Sequence, residues 1–269
     1  VTRFKPGDKV ITLFNQEHIG GPVDSVNVLS GLGGAIDGVF RAVGAFNEQG
    51  LVHRPSSLSA VEAATLPCSA LTAWNALYGQ TDAQITAGQW VLTQGTGGVS
   101  ISALQFAKAA GARVIATTGS RDKEATLKKL GADHVINYKE TPDWGAKARE
   151  ITGGVGVDHV IEVAGPSSMR QSIKAIKIAG VITIIGFVGG AEGEKEPGFL
   201  ECLNNLFTAR GVLVGNRVQL EDMCRAIDAN ADRLRPVVDS KVFGLEQLKE
   251  AYEYLQSGKH FGKVCIKID

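Results

Sequence analysis

A chain of 269 residues with 28 basic and 28 acidic side chains carries no net charge, so neither nucleic acid nor an anionic membrane surface is an expected partner. Its apolar fraction of 44% suits a folded protein able to bury a core, and no apolar run approaches bilayer length. The four cysteines, Cys68, Cys202, Cys224 and Cys265, are scattered without a CxxC pair, which argues against a disulfide framework and fits a reducing, cytoplasmic setting.

The first 66 residues are rich in strand signals. "GDKVITLF" and "DGVFRAVGAF" read as strands, separated by the loop "NQEHIGGPVDSVNVLSGLGGAI", with no long helical period before about Ala60. The text begins in mid-pattern, without Met and without the basic-then-apolar order of a signal peptide. From Val91 the chain alternates: strand 90–94, helix 100–110, strand 113–117, helix 122–130, strand 134–138, strand 157–163, helix 167–178 and strand 180–190. These apolar runs are short and unalternating, as in strands buried on both faces, and Gly111, Gly131 and Gly180 stand where helices should stop. Such alternation predicts an α/β fold with a doubly wound parallel sheet. The tail predicts two amphipathic helices, about 219–230 and 245–257, and the strands "VVDSKVF" and "GKVCIKI".

Between strand 90–94 and the next helix stands "QGTGGVS". In a strand–turn–helix unit, a first glycine permits a tight turn. A second lets a diphosphate approach the backbone, and the helix start offers free N–H groups. Gly95 and Gly97 take those two roles, and Ser100 stands where a third motif glycine is usual, adding only a small side chain. The context makes this a dinucleotide turn. Strand 113–117 ends at Thr118, where an NAD site usually carries an acid for the ribose hydroxyls. Thr118, Gly119, Ser120, Arg121 and Lys123 offer hydroxyls, open backbone and two cations instead, which favours the 2′-phosphate of NADP(H). Cations at a helix N-terminus oppose the dipole, so an anionic ligand would explain them.

Taken together, "RFKPGDKV", "EAATLPCSALTAWNAL", "GQWVLTQGTGGVSISALQFAKAAGARVIATTGS", "LGADHVINY", "GVDHVIEVAGP" and "SGKHFGKVCI" resemble the medium-chain dehydrogenase/reductase superfamily, and most closely its zinc-independent quinone-oxidoreductase-like branch. The resemblance implies a Rossmann domain, 68–216, inserted in an incomplete GroES-like barrel domain formed by 1–67 and 217–269. It implies that Gly95, Thr96, Gly97, Gly98 and Val99 form the diphosphate turn, and that Ser120, Lys123 and Tyr138 surround the 2′-phosphate and adenine. Thr72 would lie against the nicotinamide, and Lys263 near the diphosphate. Val163, Ala164, Gly165, Gly186, Phe187 and Val188 would face the ribose and nicotinamide. The segment "NNLFTARGVLVGNRV" resembles the edge strand through which such enzymes form homodimers.

The four close cysteines of a structural zinc lobe are absent from "ITLFNQEHIGGPVDS". Cys68 matches a catalytic zinc ligand of the zinc enzymes, but catalytic zinc needs three protein ligands, and Cys68 reads better as a small packed residue. The resemblance places roughly 70 further residues before "VTRFKPGDKV", and these would supply the proton donor, so no catalytic acid is assigned. The expected activity is NADPH-dependent hydride transfer to a carbonyl, enone or quinone. Two alternatives stand beside it: a zinc-dependent alcohol dehydrogenase with ligands upstream, and a nucleotide-binding protein without turnover.

Overall fold

The computed structural model describes residues 1–190 and 197–268. The chain divides into two compact units, one formed by Val1–Asn75 with Leu213–Asp269 and the other by Ala76–Val212.

In the first unit, β1 (Val10–Thr12) pairs antiparallel with β2 (Leu51–His53), setting buried Ile11 beside buried Val52. The strand expected over 37–46 does not form. Its Val39, Phe40 and Val43 are exposed, and none of the described strands pairs with its backbone N–H and C=O groups. Helix α1 (Ala60–Ala63) is short but reciprocally capped: the Ser59 hydroxyl accepts the Glu62 N–H, and the Glu62 carboxylate accepts the Ser59 N–H. Helix α2 (Leu71–Tyr78) follows.

The second unit is built on β3 (Trp90–Gln94), β4 (Arg113–Thr118), β5 (His134–Asn137), β6 (Val157–Glu162), β7 (Ile176–Ile184) and β8 (Thr208–Gly211). All pairings are parallel and the spatial order is β5-β4-β3-β6-β7-β8. The crossovers carry α3 (Gly98–Ala109), α4 (Arg121–Lys129), α5 (Trp144–Ile151) and α6 (Pro166–Ala175), and α7 (Leu200–Asn205) precedes β8. This is the doubly wound Rossmann arrangement. Every residue of β3 is buried, as the unalternating pattern required. One core cluster joins Trp90, Leu92, Ile115, Val160 and Ile182 of the sheet to Trp144, Ala148 and Ala175 of the helices. Burial of this apolar area is the main favourable term of the unit.

Helices α3 and α4 end alike, on glycines in the left-handed region. Gly111 (φ +79°) donates to Lys108 O and Ala112 to Ala107 O; Gly131 (φ +106°) donates to Lys128 O and Ala132 to Leu127 O. Gly180 does not play this part. Helix α6 ends earlier, at Ala175, so Gly180 falls inside β7, and Ala179 takes the positive φ of 62°. A Cβ on Gly180 would lie 2.7 Å from Ile176 Cδ1, so the glycine there serves close packing.

The tail returns to the first unit as α8 (Arg217–Ala229), β9 (Val238–Gly244), α9 (Leu248–Gln256) and β10 (Lys263–Lys267), with β9 and β10 paired in parallel. The sheets of this unit stay two-stranded and do not close among the described residues. No helix among those residues is long and apolar enough to cross a membrane.

His159 lies at the centre of β6, with its Nδ1 buried and unpartnered. Burial depresses its pKa from 6.5 to about 4. As pH falls below 6.5 the unfolded chain takes up this proton before the folded one does. The unit should therefore lose stability between pH 6.5 and about 4, by on the order of 3 kcal/mol in full. Urea denaturation of His159→Val across that window should show a flatter dependence on pH than the parent; equal slopes would contradict this assignment.

Candidate functional site

Because β3 to β7 run parallel, the turns that follow them gather along one edge of the sheet. The direction of winding reverses at β3, which is flanked by β4 and β6, and a doubly wound sheet has its ligand-binding crevice at such a reversal. Gly95 begins the turn with φ +74°, a conformation that strains any residue with a Cβ, and its N–H is held by Thr117 O at 2.8 Å. Gly97 caps α3 without a side-chain acceptor, so the first helical N–H groups are left to another partner. A Cβ placed on Gly95 or on Gly97 would meet no atom within 4 Å, so the space above this backbone is open. Gly98 and Val99 continue the turn into α3, half-buried, while Thr96 is buried.

Ser100 does more than save space. Its buried hydroxyl donates to Gln94 O at 2.6 Å, tying the first turn of α3 to the end of β3. A glycine would leave that carbonyl without this donor.

Sequence reasoning missed the polar cluster behind the turn. Glu162, the last residue of β6, is fully buried and accepts from Gln94 Nε2 (2.7 Å), Ser168 Oγ (2.6 Å), Ser172 Oγ, Ala164 N (3.1 Å) and Gly165 N (2.9 Å). Gln94 Oε1 in turn accepts from Val163 N and Ala164 N at 3.1 and 3.2 Å. The signal available in the sequence was an acid, Glu162, closing the apolar pair Val160 and Ile161 at the end of "VDHVIEV".

After β4, Thr118 is buried and its hydroxyl accepts from Ser120 N at 3.2 Å. Tyr138 lies directly across Gly119, where an added Cβ would sit 2.5 Å from the phenol oxygen, and the ring is exposed rather than part of the core. Arg121 is not an idle cation at a helix start. Its Nε donates to Glu140 Oε1 at 2.5 Å, and this hydrogen bond holds the Glu140 carboxyl below its usual range. Asp122 and Glu124 supply the acidic first turn that the dipole prefers. The dipole argument for an anionic ligand thus loses Arg121, while the absence of a carboxylate at Thr118 stands. Lys123 is half-buried on the same turn.

The remaining residues of this unit meet at the ends of β6 and β7. Val163, Ala164 and Gly165 form a turn in which Gly165 has φ +89° and an added Cβ would sit 2.8 Å from Phe187 Cα. Val188 N donates to Val163 O at 3.1 Å. Gly186 is half-buried, and the Phe187 and Val188 side chains are exposed.

Thr72 and Lys263 belong to the first unit. Thr72 is buried and donates to Cys68 O at 2.8 Å; Lys263 Nζ donates to Ser69 Oγ at 3.1 Å. Cys68 is exposed in the turn Leu66–Ala70, which buries Leu66, Ser69 and Ala70, although partial burial of the thiol still pushes its pKa up. Among the described residues no three His, Cys, Asp or Glu side chains are grouped to hold a metal ion.

Residues 98–229 match the family described as zinc-binding dehydrogenase. A zinc-type alcohol dehydrogenase-like protein of Schizosaccharomyces pombe is 45% identical over the whole of this chain, which spans 78% of that protein. An alcohol dehydrogenase of Geobacillus stearothermophilus is 33% identical over 80% of the chain and 60% of its own length. A solved structure described as an NAD-dependent alcohol dehydrogenase superposes with a TM-score of 0.85 at 32% identity, over 99% of this chain and 78% of that one. The chain belongs to the medium-chain dehydrogenase/reductase superfamily, on its alcohol dehydrogenase-like side. It is therefore an oxidoreductase.

The open space at Gly97, with its ordinary φ of −77°, separates binding from folding. Gly97→Asp should keep the parent's circular dichroism and melting temperature while reducing dinucleotide affinity at least ~100-fold, through bulk and charge at the diphosphate position. Unchanged affinity by calorimetric titration would show that the turn holds no diphosphate.

Proposed function

We propose that this protein is an NADP(H)-dependent oxidoreductase that transfers hydride to a carbonyl, an α,β-unsaturated ketone or a quinone. The observation that carries the reading is the bare main chain at Gly95 and Gly97, which opens at the carboxyl ends of parallel strands where a side chain would block a diphosphate. Backbone N–H groups of Gly98 and Val99 would hold the diphosphate, with Thr96 beside them. Thr118, Ser120, Lys123, Tyr138 and an Arg121 released from Glu140 would hold the 2′-phosphate and adenine. Val163, Ala164, Gly165, Gly186, Phe187 and Val188 would orient the nicotinamide ribose and exclude water from it. When bound, the nicotinamide supplies the hydride; the protein supplies orientation and a dry surface, which is where its share of the rate lies.

The exposed edge strand β8 supports a homodimer joined sheet to sheet. The four free thiols support a reducing compartment such as the cytoplasm. The zinc-type relatives favour a second reading, a zinc-dependent alcohol dehydrogenase. Metal analysis of the purified active protein separates the two: activity with less than stoichiometric zinc supports the first, and activity abolished by chelation and restored by zinc supports the second. Binding without oxidation across a panel of enones, quinones and aldehydes would instead mark a nucleotide-binding protein without turnover.

Cofactor choice is tested by fluorescence titration. NADPH should bind at least ~10-fold more tightly than NADH, the contribution of one charge-assisted phosphate site. Glu140→Ala, which frees Arg121, should strengthen NADPH about threefold and leave NADH unchanged. Equal affinity for the two dinucleotides, or a Glu140→Ala effect common to both, would overturn the NADP(H) assignment.

A further inference from the structure

The buried cluster behind the turn carries an inference that rests on the nicotinamide reading above. We infer that Glu162 is a positioning residue for the nicotinamide half of the crevice, acting through the backbone of 163–165 and 186–189 without touching cofactor or substrate.

Five donors converge on one carboxylate, and all of them are neutral: two serine hydroxyls, one carboxamide and two backbone N–H groups. An acceptor-only group with about four lone-pair sites is what such a set requires. The consequence reaches outward in steps. Glu162 Oε1 fixes the N–H groups of Ala164 and Gly165, and Gln94, oriented by Glu162 Oε2, fixes those of Val163 and Ala164. With its N–H groups held, the turn presents its carbonyls to the next strand end: Val163 O accepts from Val188 N at 3.1 Å, and Ala164 O from Gly189 N at 2.9 Å. Phe187 is pressed so close to Gly165 that no Cβ fits between them. One side chain at the end of β6 therefore sets the backbone on which the ribose and nicotinamide would lie. The adenosine side, after β4 and β5, takes no hydrogen bond from this cluster in the contacts given above.

Replacing the carboxylate by a carboxamide keeps its shape but turns one acceptor into a donor, leaving a donor facing a donor. The turn must then shift or lose a hydrogen bond. Glu162→Gln should weaken NADPH about tenfold and diminish the blue shift and enhancement of its nicotinamide fluorescence, the equivalent of one lost buried hydrogen bond. Binding of 2′,5′-ADP, which lacks the nicotinamide ribose, should stay within about twofold of the parent. The same comparison made with NADH and ADP covers an NAD-preferring protein. Parallel loss of whole and half nucleotides would show a merely structural role and overturn the inference, as would unchanged NADPH binding. Ser168→Ala removes only one donor to Oε1 and decides the matter if Glu162→Gln does not fold. It should give a loss of about threefold confined to the whole dinucleotide, and no loss would overturn the inference. If the parent binds neither dinucleotide, the cofactor reading fails first and the inference falls with it.

Discussion

The architecture depends on a stretch of main chain kept free of side chains. Between Gln94 and Ser100 the backbone leaves a buried strand, turns through a left-handed glycine and enters a helix whose first N–H groups have no side-chain cap. A helix start buried in protein would need partners for those groups. Here the backbone at Gly95 and Gly97 borders open space at the point where the sheet changes its direction of winding, which is where a doubly wound fold collects its ligands. The physical requirement is negative: nothing may occupy the volume that a diphosphate would fill.

An open backbone is also a weak one, and the surrounding residues compensate. Ser100 ties helix to strand across the turn, and Gly95 is held to β4 by its N–H. Glu162 and Gln94 fix the neighbouring strand end from below. Packing of the apolar cluster on the sheet places these polar groups within hydrogen-bonding range and keeps water away from them. The exposed surface of the crevice is thus irregular backbone, while the groups that specify its shape lie behind it.

Much of the second unit was legible in the sequence, because short apolar runs, helix periods and stop glycines all pointed the same way. Gly111 and Gly131 fulfil their expected role, but Gly180 does not. A glycine after a helical pattern is ambiguous between ending a helix and making room for a neighbour, and contact with Ile176 decided for the latter. The strand expected at 37–46 had residues that favour strands, Val39, Phe40, Val43 and Phe46, but a strand exists only through its partner, and pairing is not written in the segment itself. Arg121 looked unpaired because Glu140 lies nineteen residues away in sequence and meets it only when β4 and β5 align. Glu162 was invisible for a similar reason: an acid at the end of a strand shows no sign of the five donors that the fold brings to it.

The amides that would hold the diphosphate can be observed directly. In the ¹⁵N-labelled protein, addition of NADPH should move the amide resonances of Gly97, Gly98 and Val99 strongly downfield, since new hydrogen bonds to an anion deshield the donor. NADPH that binds while these three resonances stay in place would mean that the diphosphate rests elsewhere, and the account of this site would be wrong.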